Sequence, residues 1–182
     1  MFANNLRFFV GTYTQGVPHS EGIYSFNLDV ISGRVNQLST TGGLQNPSFL
    51  ALNPSKSHLY AVSEINSHCG KDEGSVSAFL VGDDGRLLEE VRRGTGGAGP
   101  CHIRVNANGT VLIATNYQGG SVASYPIDPE GSLGELATFA QHEGASVDID
   151  RQNEAHAHSS IFSEDGSISY VADLGTDRIV AY

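Results

Sequence analysis

Three stretches of the chain are alike without gaps, and this internal repeat limits the fold more than any other feature. They begin at Asn46, Gly99 and His156, so their starts are 53 and 57 residues apart. Each contains a short apolar run, a polar turn and a second apolar run, which is the pattern of a β-hairpin. Two of the turns contain Asn-Gly or Asp-Gly, which tolerate the positive φ of a tight reversal.

A second hairpin follows the first in two of the copies. Its first run is Gly74 to Phe79 in one copy and Gly120 to Tyr125 in the next, and each precedes a turn with glycine, at Gly85 and at Gly131. We therefore expect four strands per repeat. The N-terminal stretch matches only the last three strands, with runs at Leu6 to Tyr13, Gly22 to Leu28 and Ser32 to Val35.

Four short antiparallel strands repeated at about 50 residues are typical of a β-propeller blade. Glycine, at 22 of 182 residues, is more frequent than the roughly 7% of average proteins, which agrees with many turns and little helix. We predict an all-β chain, a partial β-propeller of four-stranded blades. The blades span 1–45, which lacks its first strand, 46–98, 99–155 and 156–182, which stops in its third strand. We expect such a fragment to leave a strand edge and an apolar face uncovered.

Composition argues against several classes of partner. Twenty Asp and Glu against ten Lys and Arg give a net charge of −10, so we expect no nucleic acid, whose phosphates need positive charge. Apolar runs such as Val111 to Ala114 are far shorter than the roughly 20 residues of a membrane span, and no membrane partner is expected. No signal peptide is apparent, and Cys69 and Cys101 are too few for a disulfide framework, which favours a cytoplasmic protein. No nucleotide motif is present, so no cofactor is predicted.

Several segments carry a family resemblance in combination. They are FFVGTYT, GIYSFNLD, GSVSAF, GPCHIRVNANG, ATNYQGGSVASYPID and the block from HAHSSIFSEDG to YVADLGTDRIVAY. They resemble the lactonase family of seven-bladed propellers, which includes the propeller-type 6-phosphogluconolactonase and the 3-carboxy-cis,cis-muconate lactonising enzyme. The resemblance covers essentially the whole chain. It implies that about four of seven blades are present and that the site lies in a shallow central cleft.

The resemblance also implies a catalytic histidine, which corresponds to His158 of the HAHS segment. The family pattern further contains an Arg in a GPRH segment and a Glu sixteen residues later, and neither is present here as such. The repeats place Ser48, Cys101 and His158 at the position of that Arg, and Glu64, Tyr117 and Leu174 at the position of that Glu. The missing pair is therefore expected on a later blade.

His156 and His158 are two residues apart, so on a strand both side chains would project to one face. Near neutral pH an imidazole can take a proton from water and return one to a leaving alkoxide, as lactone hydrolysis requires. His158 is therefore the predicted catalytic residue. One alternative is that both histidines only satisfy backbone groups at a strand start. Another is a metal site that includes His102, but zinc usually needs three or four ligands, and we predict no metal.

Five residues are predicted to bind substrate: His156, His102, Glu64, Tyr13 and Tyr117. Tyr13, Glu64 and Tyr117 occupy matching strand ends in consecutive copies, where they could hold a sugar-like lactone. A solvated rim is the alternative interpretation of these three residues. The polar stretch Gln141 to Asn153 predicts a loop, either a flap that shapes substrate access or a plain insertion.

The resemblance implies a small-molecule lactone as the substrate and a lactone hydrolase of carbohydrate metabolism, acting on a sugar lactone such as 6-phosphogluconolactone. The basic residues form no repeat-aligned cluster near the predicted cleft, so phosphate specificity has no support in the sequence. A muconate-type lactonising enzyme and a non-catalytic propeller that binds a protein or glycan are the alternatives. Because half of the site is expected on other blades, the 182-residue chain alone is predicted to be inactive.

Overall fold

The computed structural model describes residues 5–16 and 20–182, and within these ranges every regular element is a β-strand. The strands form four antiparallel sheets, and in each sheet a strand pairs with the next one along the chain. The predicted all-β, incomplete propeller is therefore confirmed, with each sheet forming one blade. Residues 1–4 and 17–19, which belong to the predicted blade 1–45, lie outside this description. Among the described residues, no helix is long and apolar enough to cross a bilayer.

The strands of the four sheets are as follows. The first sheet contains β1 (Asn5–Val10), β2 (Ile23–Asp29) and β3 (Val35–Thr41). The second contains β4 (Leu50–Leu52), β5 (His58–Ser63), β6 (Ser75–Val81) and β7 (Leu87–Gly94). The third contains β8 (Pro100–Val105), β9 (Val111–Asn116), β10 (Ser121–Pro126) and β11 (Thr138–Gln141). The fourth contains β12 (Ala157–Phe162), β13 (Ser169–Asp173) and β14 (Arg178–Ala181).

The hairpin turns follow from the residues that the repeat places there. Gly109 and Gly166 each have a φ of 71° in equivalent turns of the third and fourth sheets. In the second sheet Lys56 adopts a φ of 61° at the corresponding reversal after Pro54. A side chain at positive φ is strained where glycine is not, so this turn is the least favourable of the three.

The sequence predicts that the fourth strand of the third sheet begins directly after Gly131, at Leu133, but the strand begins later. The expected turn at Gly131 is present, but Leu133 forms only a single bridge, with Ile127. The ladder resumes at Thr138, where β11 begins. Proline explains the delay, because Pro126 ends β10 and has no N–H for the ladder.

The hydrophobic cores lie between neighbouring sheets. Along β5 the residues alternate, so Leu59 joins a cluster shared with the first sheet and Tyr60 joins one shared with the third. Along β9, Leu112 joins that second cluster and Ile113 packs with the fourth sheet. Because both faces are covered, all six residues of β5 are buried.

The first strands of the third and fourth sheets both contain a β-bulge. The pairing register shifts between Pro100 and His102 and again between Ala157 and Ser159. Cys101 is therefore the extra residue in β8, and its counterpart in β12 is the extra residue of that strand. A bulge bends the strand and redirects the side chain, and bulges are frequent next to active sites.

Candidate functional site

Polar side chains from the first and second blades meet just beyond the ends of β1 and β5. The hydroxyl of Tyr13 donates a hydrogen bond of 2.8 Å to the Glu64 carboxylate. The hydroxyl of Ser48 donates to the same carboxylate oxygen. Burial and the adjacent Glu64 carboxylate raise the pKa of the Tyr13 phenol, so it stays a hydrogen-bond donor at neutral pH. The structure thus brings two of the predicted substrate-binding residues, Tyr13 and Glu64, together.

The third and fourth blades meet through the two bulged residues. The Sγ atom of Cys101 lies 3.4 Å from Nδ1 of His158 and 3.2 Å from the carbonyl oxygen of the same residue. Burial raises the pKa of the Cys101 thiol to about 11, and the charge of Glu64 adds to the effect. Because the thiolate is the nucleophilic form, Cys101 is a poor nucleophile at neutral pH. The repeat comparison placed Cys101 only at the position of the family's Arg. The structure shows that it contacts His158.

Tyr117 is the shared neighbour of the two histidines. Its ring stacks on His156, with centroids 4.5 Å apart, and meets His158 edge-on at 5.5 Å. His156 is buried and its Nδ1 donates to the Tyr117 carbonyl over 2.9 Å, whereas His158 is exposed. The expectation that both imidazoles project from one face of a strand does not describe this geometry. His156 precedes β12, and the bulge interrupts the alternation at His158.

A buried carboxylate holds the start of β12 in place. Oδ1 of Asp173 accepts hydrogen bonds from the backbone N–H groups of His156 (3.0 Å) and Thr176 (2.9 Å). Its other oxygen accepts from Nδ1 of His142 over 2.5 Å. Burial alone would raise the pKa of Asp173, but these hydrogen bonds outweigh it and the pKa is lowered. The sequence gives no local signal for the His142 partner, because it lies 31 residues away from Asp173.

The polar stretch before β12 forms a loop that lies beside Tyr117. Nη2 of Arg151 donates to the Tyr117 hydroxyl over 3.2 Å, and the Gln152 amide donates to the Leu174 carbonyl over 2.8 Å. Sequence reasoning singled out the loop but not Arg151. This contact places the loop beside Tyr117, the ring that both histidines contact.

His102 is placed differently from the other predicted residues. Its ring packs against Phe49, with centroids 4.3 Å apart, and its Nδ1 accepts a 3.4 Å hydrogen bond from the Ser160 N–H. Burial lowers the pKa of His102 to about 4, and the charges of Arg104 and His158 add to the shift. His102 is therefore neutral at physiological pH and contacts Phe49 rather than Tyr117.

His158 also lines an open cleft of about 470 Å³ at the fourth blade. The other lining residues are Ala172, Asp173, Leu174, Asp177, Arg178 and Ile179. Ala172 and Ile179 are exposed on the face of the fourth sheet opposite to Val171, which packs against the third sheet. Across residues 5–16 and 20–182, no three His, Cys, Asp or Glu side chains are grouped as ligands of a metal ion would be.

The family model described as "Lactonase, 7-bladed beta-propeller" matches residues 7–182. The chain belongs to this lactonase family. The resemblance noted in the sequence is thus confirmed, and the lactonase fold accounts for the consecutive blades, in which β4 packs against β8 and β8 packs against β12.

Individual lactonase relatives align over nearly all of the chain. The 6-phosphogluconolactonase of Bacillus subtilis (strain 168) is 30% identical over 175 residues, which are 96% of this chain and 48% of the relative. A solved structure of a candidate 6-phosphogluconolactonase from Bacteroides fragilis NCTC 9343 is 32% identical, with a TM-score of 0.88 over 98% of this chain and 48% of its own. The periplasmic gluconolactonase of Pseudomonas aeruginosa is 30% identical, with a TM-score of 0.87 over 98% of this chain and 50% of its own. The chain spans about half the length of these relatives.

Proposed function

We propose that the whole protein is a lactone hydrolase that acts on a sugar lactone such as 6-phosphogluconolactone, and that this chain supplies part of its site. The observation that carries the proposal is the placement of His158. The imidazole lies at a bulge, contacts Cys101 and Tyr117, and lines an open cleft at the fourth blade. The names of two relatives, a 6-phosphogluconolactonase and a gluconolactonase, support this substrate class.

In the proposed reaction His158 acts as a general base and then as a general acid. It takes a proton from water while the water oxygen bonds to the lactone carbonyl carbon. The tetrahedral intermediate collapses, the bond between the carbonyl carbon and the ring oxygen breaks, and the leaving oxygen receives the proton back from the imidazolium. The products are an open-chain hydroxy acid and the neutral imidazole. His158 takes up one proton and releases one, so no second proton-transfer group is needed.

The remaining predicted residues are proposed to hold the sugar. The Glu64 carboxylate, already approached by Tyr13 and Ser48, offers acceptor capacity for sugar hydroxyls. Tyr117 and His156 form a flat stacked pair against which a sugar ring can pack. The proposal depends least on His102, because its ring is packed against Phe49.

The domain and compartment assignments form part of the same proposal. We propose one partial propeller domain with blades 1–45, 46–98, 99–155 and 156–182. We also propose a cytoplasmic location, for which the periplasmic relative provides the competing compartment. Cell fractionation with an antibody against the chain distinguishes the two compartments.

The test is a lactone-opening assay on a seven-bladed form that contains this chain. Its substrates are 6-phosphogluconolactone and uncharged gluconolactone, with 3-carboxy-cis,cis-muconate supplied to detect lactonisation. His158→Ala is expected to lower kcat by roughly 10²–10⁴-fold, the usual contribution of a general acid–base. His68→Ala, in a surface hairpin outside the site, is the matched control. Full turnover by His158→Ala, or turnover of the muconate alone, would contradict the proposal. The 182-residue chain by itself is expected to show no turnover.

A further inference from the structure

We infer that Cys101 is a positioning residue that keeps the neutral His158 imidazole in the tautomer protonated at Nδ1, so that Nε2 carries the free lone pair. Its catalytic meaning rests on the proposed function, because only a base at Nε2 can take a proton from a water in the cleft. The tautomer itself is a property of the 182-residue chain and can be measured without any turnover.

The acceptors around the thiol determine where its single proton goes. Besides the imidazole, three carbonyl oxygens lie near Sγ: those of His158 at 3.2 Å, Thr115 at 3.8 Å and Ala157 at 4.0 Å. A carbonyl oxygen only accepts hydrogen bonds, so these three oxygens compete for the single thiol proton. The nearest acceptor is the His158 carbonyl, at a shorter distance than the 3.4 Å to Nδ1.

When the thiol donates its hydrogen bond to that carbonyl, the sulfur presents only its lone pairs to Nδ1. Nδ1 then has to be the donor, because two lone pairs at 3.4 Å would repel each other. The raised pKa of Cys101 keeps the group a thiol at neutral pH and disfavours a thiolate–imidazolium pair. Within residues 5–16 and 20–182 the Nε2 atom has no hydrogen-bond partner, and His158 lines the cleft.

The reverse arrangement would have the opposite chemical consequence. If the thiol donated to Nδ1, the neutral ring would carry its proton on Nε2 and could not accept one from water in the cleft. The direction of one hydrogen bond between two bulged residues therefore decides whether His158 is a base or a donor. The other titratable or charged groups near His158 are Tyr117, which meets its ring edge-on, His102, whose pKa its charge helps to lower, and Asp173, Asp177 and Arg178, which line the same cleft.

The experiment is long-range ¹H–¹⁵N NMR of the histidine side chains in the 182-residue chain, at a pH above their titration. The expected wild-type spectrum has a protonated, pyrrole-type Nδ1 and an unprotonated, pyridine-type Nε2 at His158. Cys101→Ala is expected to lose the pyrrole-type signal at Nδ1, with the proton moving to Nε2. Cys101→Ser is expected to retain it, because a hydroxyl can donate to the carbonyl and accept from Nδ1. Cys69→Ala removes the other thiol, which lies 3.4 Å from Nε2 of His68, and is expected to leave His158 unchanged.

A wild-type spectrum with the proton on Nε2 would overturn the inference, as would an unchanged tautomer in Cys101→Ala. If that variant does not fold, the wild type and Cys101→Ser still decide the matter, because both must show the proton on Nδ1. In the seven-bladed form, Cys101→Ala should lower kcat with little change in KM, and Cys101→Ser should restore it. A protonated Nδ1 in a protein without lactonase activity would refute the proposed function and leave the tautomer assignment standing.

Discussion

Within this chain the candidate site has two halves, one around Glu64 and one around His158. Equivalent repeat positions, Ser48 and Cys101, contribute different chemistry to them. In the second blade Ser48 donates to Glu64 of its own blade. In the third blade Cys101 occupies the equivalent repeat position but reaches across to His158 of the next blade. The first half therefore presents a carboxylate held by hydroxyl groups, and the second presents imidazoles supported by a thiol and an aromatic ring.

The comparison shows what repetition supplies and what it leaves open. The third and fourth blades share a bulge at the start of their first strands, whereas Ser48 precedes β4, whose register with β5 is regular. Side-chain identity then decides whether the contact closes within a blade or bridges two blades. Function is thus placed on individual residues of a repeated scaffold rather than on the scaffold itself.

The largest difference between the halves is expected in stability. Asp173→Ala removes a fully buried carboxylate that pairs with His142 and accepts two backbone N–H groups, so we expect a loss of about 3–5 kcal/mol. Glu64→Ala, in the partly exposed half, is expected to cost about 1 kcal/mol or less. Urea unfolding of the two variants measures both losses. Equal losses would show that the two halves do not differ in this way.

The next effect concerns the aromatic ring of the second half. Tyr117→Ala removes a half-buried ring that touches both His156 and His158, and we expect it to cost about 1–3 kcal/mol. Tyr117→Phe keeps the ring and loses only the exposed hydrogen bond from Arg151, so about 0.5 kcal/mol is expected. Thermal and urea unfolding give both values. A Phe variant as unstable as the Ala variant would show that the hydroxyl matters more than the ring.

Stability should depend on pH through His102, which packs at the border of the two halves. Its pKa is lowered from 6.5 to about 4, so between these values the unfolded chain binds more protons and stability falls as the pH falls. Because the ring is partly exposed, we expect this residue to account for about 1–2 kcal/mol of the loss. His102→Gln keeps an acceptor for the Ser160 N–H and removes the titration. The difference in unfolding free energy between pH 7 and pH 4 should be smaller in the variant than in the wild type, and an equal difference in the two proteins would contradict the assignment.

The smallest effect is expected at the exposed end of the first half. Tyr13→Phe removes the 2.8 Å hydrogen bond to Glu64, and because Tyr13 is 49% exposed we expect about 0.5 kcal/mol or less. In a seven-bladed form the same change should raise KM for the sugar lactone with little change in kcat, because the proton-transfer group is in the other half. A fall in kcat at unchanged KM would move Tyr13 from binding to the chemical step.

Some elements could be predicted because their causes are local. The hairpin turns at Gly109 and Gly166 follow from glycine at positive φ, and the strands follow from alternating apolar runs bounded by such turns. The predicted start of β11 was wrong, since Pro126 ends β10 and β11 starts at Thr138, and the bulge at His158 made the expected shared face of the two histidines wrong. The residues of the site were predicted from their repeat positions and from the family resemblance. Both identify strand ends, but neither identifies the contacts between side chains.

Other features depend on residues that are distant in the sequence. The Cys101–His158 contact joins positions 57 apart, and the His142–Asp173 pair joins positions 31 apart, so no local pattern signals either. The bulge at His158 was equally hidden, because an inserted residue leaves the composition of a strand unchanged.

The sequence by itself determined the blade, its repetition and its family, because backbone propensity and turn chemistry act between near neighbours along the chain. Tertiary structure alone decided that the thiol of one blade faces the imidazole of the next, and that a buried carboxylate holds the start of β12. Those contacts exist only when sheets pack face to face, where burial and hydrogen-bond geometry give each polar atom a specific partner.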